Sequence, residues 1–240
     1  MIDARDLAPV TPIEGEITIV ISPAPTDIPP ALADATERRW AELLADNPRL
    51  HDGSILAIER FDPATNTIRA RRDGYKRLAV QPQAPTDVRL LSVTGMITAL
   101  DERERPCVLL GRRSTQTRLH GGLWELAPAG GIDAPKPGVS TIGADAVRAQ
   151  LQTELREELG LDLDVSLARP IALVVEGPGC SVDIVMRLDT GVPITALDMN
   201  TDSWEYTGAR WVAIEQASEF ASRHAAELIP STHNMLRAID

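Results

Sequence analysis

Glu154, Glu157 and Glu158 fall within the stretch TELREELGL (residues 153–161), three carboxylates in five positions beside three leucines. On a helical wheel of about 100° per residue with Glu154 at zero, Val147, Leu151, Leu155 and Leu159 form one stripe from about 20° to about 140°. Glu158 lands at about 40°, inside that stripe, and Glu154 and Glu157 flank it at about 0° and about 300°. A carboxylate so placed leaves bulk water, and beside two like charges it must hold a proton or recruit a cation. Oxygen ligands at i, i+3 and i+4 converge on one point, which suits a hard divalent ion such as Mg²⁺, with Mn²⁺ as the alternative. The same residues would also serve as a solvated acidic face paired with Arg148 and Arg156.

Carboxylates that gather a divalent ion have an obvious use on a diphosphate. Its charged oxygens repel nucleophiles, so hydrolysis needs cations on those oxygens and a polarised water. One of the three glutamates, or an acid from another loop, accepts the water's proton. Glu205 in DSWEYTGARW is the favoured loop acid, since it immediately precedes a predicted strand; read plainly, it is an exposed loop charge. Asp183 in SVDIVM is its rival, an acid in an otherwise apolar strand that faces either the site or the polar side of the sheet. Arg112 and Arg113 end the VLLGRR strand and Arg118 follows in the next loop, places from which guanidinium groups reach a phosphate if they are not surface charges. In ARRDGYKRLAV, Arg71, Arg72, Lys76 and Arg77 beside Tyr75 form either a nucleotide grip with a stacking ring or a solvated edge. Trp40 reads as a core anchor.

The elements that must position these groups follow from periodicity. Upstream of the break QPQAPTD, residues 81–87, the sequence predicts a small unit over 1–86: a strand at EITIVIS, a helix from about Pro29 to Asn47, and a hairpin of SILAIERF with TIRARR. Downstream, over 87–240, RLLSVTGMITAL, PCVLLGRR, GLWELAP, ARPIALVVEG, CSVDIVMRLD and GARWVAIE predict strands. The clearest helix runs from about Ala144 to Leu159 and is closed by Gly160, and one or two helices end the chain. Strands alternating with helices around a mixed sheet place the fold in the α/β class.

The glycine pair Gly130 and Gly131 in WELAPAGGID, followed by TELREELGL, resembles the signature of the Nudix hydrolases. In that resemblance Gly131 takes the box glycine, Glu154, Glu157 and Glu158 the metal-binding glutamates, Leu155 and Leu161 the hydrophobic positions, and Gly160 the closing glycine. It implies an α/β/α sandwich with a mixed central sheet, here carrying a small N-terminal α+β extension. It also implies Mg²⁺-dependent cleavage of a nucleoside diphosphate linked to another group, with Gly130 and Gly131 joining Arg112, Arg113 and Arg118 at the substrate. Thr153 replaces the box arginine, and the extra residues in IDAPKPGVSTIGAD (132–145) lengthen the box, so a long loop over the site is expected, with Asp145 as a charge at the helix start. These departures, together with NPRLHDGSILAI, EYTGARWVAI and AAELIPSTHNML, are similar to the animal UDP-glucose and UDP-galactose diphosphatases, which implies a UDP-sugar cleaved to UMP and a sugar 1-phosphate. ADP-ribose or a dinucleotide is the next choice, and a nucleotide-binding or regulatory module that has lost turnover is the reading from another class.

Composition narrows the field further. A formal net charge of −11 argues against a broad phosphate-neutralising surface, so no nucleic-acid partner is expected. Aromatics at 3% require an aliphatic core. Cys107 and Cys180 lack CxxC spacing and sit in apolar segments, which reads as buried thiols in a reducing cytoplasm. MIDARDLAPV carries no signal-peptide pattern and no stretch approaches the ~18 apolar residues of a membrane span, so an unexported protein without a membrane partner is expected. LHGGLW has no GxSxG to act with, and His51, His120, His224 and His233 show no zinc spacing, although His120 is near the proposed site. GxxxxGK[ST] is absent. The N-terminal unit is expected to shape the nucleoside pocket, to offer a homodimer surface, or both.

Overall fold

The computed structural model describes residues 1–25, 27–177, 181–200 and 204–239. The first part of the chain gives β1 (Ile2–Asp3), β2 (Val10–Pro12), β3 (Thr18–Ser22), α1 (Pro30–Asp46), β4 (Ser54–Asp62), β5 (Thr67–Gly74) and α2 (Tyr75–Ala79). There follow β6 (Leu90–Leu100), β7 (Pro106–Arg113), β8 (Trp124–Leu126), β9 (Ala129–Gly131), β10 (Thr141–Gly143) and α3 (Ala144–Leu159). The last part holds β11 (Arg169–Val175), β12 (Ser181–Pro193), β13 (Tyr206–Ala213), α4 (Ala217–Arg223) and α5 (Pro230–Ala238).

These strands share one mixed sheet whose main path is β10-β3-β5-β4-β6-β12-β11-β2, with β7 and β9 also pairing on β6. The β6–β12 and β3–β5 pairs are parallel, and the others are antiparallel. Successive β6 residues point to opposite faces. Leu91, Val93 and Ile97 accordingly join the α3 residues Val147, Leu151, Leu155 and Leu159 on one side. Met96 packs on the other side with Ala217 and Ala221 of α4 and Met235 and Leu236 of α5. Helices on both faces of a mixed sheet make the α/β/α sandwich that the sequence led us to expect.

Helix α3 forms because its four-residue apolar spacing gives one fully buried stripe. Each of the three leucines contributes roughly 1.5–3 kcal/mol, enough together to offset the cost of carrying a carboxyl in the same stripe. Gly160 ends the helix with φ 65°, a left-handed conformation, and the N–H of Leu161 returns to the Leu155 carbonyl at 2.9 Å.

Residues 1–86 contain the expected helix and the β4–β5 hairpin, with Trp40 buried against Ala79, Val80 and Ala84. Their strands continue the main sheet across the 81–87 segment, where Ile58 donates to the Arg89 carbonyl at 2.9 Å. The long box insertion does not arch over the carboxylates as expected. It runs alongside the N-terminal strands: β10 pairs antiparallel with β3, and Ile55 bridges to Asp133. Arg72 donates to the carbonyls of Pro135, Lys136 (2.9 Å) and Val139 (3.1 Å). The physical reason is that β3 presents an open ladder edge and Arg72 a five-donor fork, and the insertion satisfies both. Among the described residues no helix is long and apolar enough to cross a membrane. Cys107 is a buried free thiol, and Cys180 lies outside the described residues.

Candidate active site

Strand β9, the end of β7 and the residues just before β13 meet at a cleft of about 330 Å³, with the last turns of α3 against β9. Its walls include Arg113, Arg118, Glu125, Gly130, Gly131, Glu176, Asp183, Trp204 and Glu205. None of residues 132–143 lines it.

Glu158 is 4% exposed and accepts a hydrogen bond from the Ala129 N–H at 3.1 Å. Burial first, and then the neighbouring Glu205 carboxyl, push its pKa well above the ordinary carboxylate range, with Glu154 and Glu125 adding to the effect. A side-chain contact between Glu158 and Glu205 is among the causes of that rise. Glu154 is half-buried; desolvation raises its pKa, and Glu205, Glu157 and Asp133 raise it further against a lowering contact with Gln150. Its carboxylate lies directly on the Cα of Gly130, where a Cβ would overlap it, so the first glycine of the pair is a steric requirement. Glu157 is exposed, and none of the three helix glutamates is itself part of the cleft wall: Glu154 and Glu158 lie against β9, which is.

Thr153 points to solvent and its hydroxyl donates back to the Ala149 carbonyl at 3.2 Å, so it braces nothing across the site. Gln150 does the bracing. Its amide nitrogen donates to Glu154 Oε1 at 2.7 Å, and its oxygen accepts from the Asp133 N–H at 3.3 Å, tying the loop after the glycine pair to the helix.

A second group of acids lies opposite. Glu125 is buried on β8; Arg113 Nη1 donates to it at 2.6 Å and Tyr206 Oη at 2.8 Å. Desolvation still pushes Glu125 up to about 7, against the lowering influence of Arg113 and Tyr206. Asp183 on β12 accepts from Ser92 Oγ and from Thr94 Oγ1 at 3.2 Å. It is pushed up to about 6, first by burial and then by Glu176. Glu176 feels an upward pull from burial that is outweighed by His120, Ser181 and Arg113, so its pKa falls. His120 Nε2 lies 2.8 Å from Glu176 Oε1, and that contact raises the imidazole pKa.

Of the residues singled out from the sequence, Glu154, Glu158 and Glu205 are drawn together, and Glu205, Arg113, Arg118, Gly130 and Gly131 line the cleft beside them. Arg118 also donates to the Ala79 carbonyl at 2.9 Å. Arg112 is not brought there: it alternates to the other face, donating to the Gly122 carbonyl at 3.3 Å and lying 5.9 Å from the Trp124 ring centre. In the basic run, Arg71 and Arg77 pair with Asp73 and Lys76 with Glu37, so the run gives the cleft wall Tyr75 and Leu78 and none of its cations. Glu125, Glu176 and Gln150 were missed by sequence reasoning. Glu125 carried the signal used for Asp183, an acid between apolar strand residues, and Gln150 stands one helical turn before Glu154.

Among the described residues no three acid, histidine or cysteine side chains stand in cation-ligating geometry. The donor set nevertheless fits a hard divalent ion. It is all carboxylate oxygen, it is partly desolvated, and its members raise one another's pKa for want of positive charge.

Three solved structures resemble this chain in its course. The MutT protein of Methanosarcina mazei Go1 is 22% identical, over 63% of this chain and 92% of its own, with a TM-score of 0.45. The Nudix domain of a Shewanella oneidensis protein complexed with ADP-ribose is 16% identical, over 63% of this chain and 85% of its own, with a TM-score of 0.44. A Nudix hydrolase of Alicyclobacillus acidocaldarius is 14% identical, over 63% of this chain and 90% of its own, with a TM-score of 0.46. No family model matches the chain, and no curated protein matches it.

Proposed function

We propose that this chain is a Nudix-type, divalent-cation-dependent hydrolase of a nucleoside diphosphate linked to a second group, with a UDP-sugar as the preferred substrate and UMP and a sugar 1-phosphate as products. The observation that carries the reading is the meeting of Glu154, Glu158 and Glu205 beside a cleft lined by Glu205, Arg113 and Arg118. Mg²⁺ or Mn²⁺ held by Glu154 and Glu158, with Glu157 turned inward from its exposed position, would supply charge to the diphosphate oxygens and acidify the attacking water.

The protein's own groups do the rest. Arg118 and Arg113 orient the phosphates through charge-assisted hydrogen bonds, Arg113 from the position that Glu125 fixes. Glu205 would take the water's proton: it stands at the cleft beside Glu158, and a Glu158 ionised on ligation leaves it as the neighbouring acceptor. Gly130 keeps the Glu154 carboxylate against the backbone and Gln150 fixes its rotamer. Trp204, 68% exposed at the cleft, and Tyr75 offer flat apolar surface on the side where the nucleoside would lie.

A second reading, a nucleotide-binding module without turnover, draws on Thr153 and on the exposed position of Glu157. A panel of UDP-glucose, UDP-galactose, ADP-ribose and a dinucleotide, assayed with and without Mg²⁺ or Mn²⁺ for wild type and Glu158→Gln, separates the two. Metal-dependent release of a nucleoside monophosphate, lost in Glu158→Gln, is the expected result. Ligand binding with no phosphorylated product at any metal concentration refutes turnover.

A further inference from the structure

A second concavity, about 560 Å³ and therefore larger than the carboxylate cleft, is formed by β1, β4, β5 and the segment before β6. It shares no lining residue with that cleft. Its charged lining consists of Arg5, Arg60, Arg69, Arg71 and Arg89 against Asp3, Glu59 and Asp87. Five cations to three anions is a local reversal of sign in a chain whose net charge is −11.

The three acids are already committed. Asp3 accepts from Arg5 Nε at 2.9 Å and Nη2 at 3.0 Å, Glu59 lies 3.3 Å from Arg71, and Asp87 lies 3.8 Å from Arg5. Arg60, Arg69 and Arg89 have no carboxylate within ion-pair distance among the described residues. Arg60 stands between Asp3 of β1, whose carboxylate is already held by Arg5, and Arg69 of β5, so its pairing across the β4–β5 ladder is like-charged and only partly offset from the other side. Arg89 Nε is buried and has no hydrogen-bond partner, a donor whose desolvation is uncompensated. Ile58 and Ala4 give the floor an apolar patch, and no aromatic ring lines it, so nothing there would recognise a base. We propose that this arginine groove is a second anion site, separate from the carboxylate cleft, that takes a small multiply phosphorylated molecule through its phosphates.

The geometry favours a compact polyanion. Arg60 and Arg69 line the groove from adjacent strands and Arg89 from the segment before β6, so donors come from three stretches of chain, as clustered phosphates require. An acidic peptide would place its carboxylates at strand spacing along an edge instead.

The test uses the full chain with tripolyphosphate as probe, in EDTA, by titration calorimetry at low salt. Wild type is expected to bind, and the affinity to fall as salt rises. Arg60→Ala/Arg69→Ala, whose side chains are exposed and whose folding is checked by urea denaturation, should lose about ten-fold or more. Arg118→Ala, on the wall of the carboxylate cleft, should keep the site that the double variant loses, whatever it does to binding at the cleft itself, so the outcome is independent of whether that cleft is catalytic. Absence of binding in wild type overturns the proposal, as does loss of binding in Arg118→Ala with retention in the double variant. Tighter binding of a poly-glutamate peptide than of tripolyphosphate also overturns it, in favour of a peptide surface. Should the double variant fail to fold, Arg69→Gln alone decides by the same criteria.

Discussion

Replacing Asp183 by asparagine tests the buried half of the cleft, because the change removes a charge and little else. The carboxyl is buried and accepts from Ser92 on one oxygen and from Thr94 on the other; an asparagine oxygen keeps the first, and its amide nitrogen can donate to the Thr94 hydroxyl in place of the second. Its folded pKa is about 6, raised by burial and by Glu176 from an ordinary 3.8. A group whose folded pKa is raised contributes stability that is fully present below the unfolded value and is lost as pH rises through the folded one. Between those two values the unfolded chain ionises while the folded one keeps its proton, and the accumulated loss is about 3 kcal/mol once pH is well above 6. At pH 4.5 about 1 kcal/mol of it has been lost, so the wild type forgoes about 2 kcal/mol more between pH 4.5 and 7.5 from this group. The asparagine variant lacks the ionisation. Its stability relative to wild type, from urea denaturation at both pH values, should therefore rise by about 2 kcal/mol from the lower to the higher. An unchanged difference, or one that falls with pH, would show that Asp183 is ionised and well solvated in the folded state and would refute the argument.

Glu158→Gln relieves a buried carboxyl of its like-charged neighbours, so the metal-free protein should melt no lower than wild type at pH 7.5, while the rise in Tm that Mg²⁺ gives wild type disappears; scanning calorimetry with and without the ion reads both. Gly130→Ala drives a methyl into the Glu154 carboxylate, the free end of a flexible side chain that can swing outward. The expected cost is about 1 kcal/mol in stability but roughly a hundred-fold in kcat/KM on the best nucleotide, and equal losses in both would contradict the positioning role. Arg72→Ala removes three contacts to the insertion and should cost about 1.5–3 kcal/mol while opening residues 134–140 to limited proteolysis.

Helix α3 was legible in sequence because a stripe such as Val147, Leu151, Leu155 and Leu159 is local information, and the placement of Glu158 inside it followed from the same wheel. Its partner was harder to find. The contact between Glu158 and Glu205 depends on the antiparallel register of β13 on β7, which sets Tyr206 opposite Arg113 and leaves Glu205 at the mouth of the cleft. That pairing is a tertiary fact, as is the alternation that sends Arg113 inward and Arg112 outward. The insertion was visible as extra length, but its path was not, since only the assembled sheet reveals that β3 has an edge to fill and that Arg72 faces it. Gln150 escaped notice because a neutral amide gives no charge pattern, although it takes over the connection that Thr153 cannot make.

The three residue pairs joining Thr141, Ile142 and Gly143 to Val20, Ile19 and Thr18 immediately precede the first residue of α3. The helix that bears the glutamates is thus moored at its root to a strand from the first tenth of the polypeptide. Excising residues 87–240 as a minimal fragment would cast that mooring off and bare β10 as a sticky ribbon, ready to recruit another molecule. The shortest fragment expected to stay free of such recruitment keeps its opening strands.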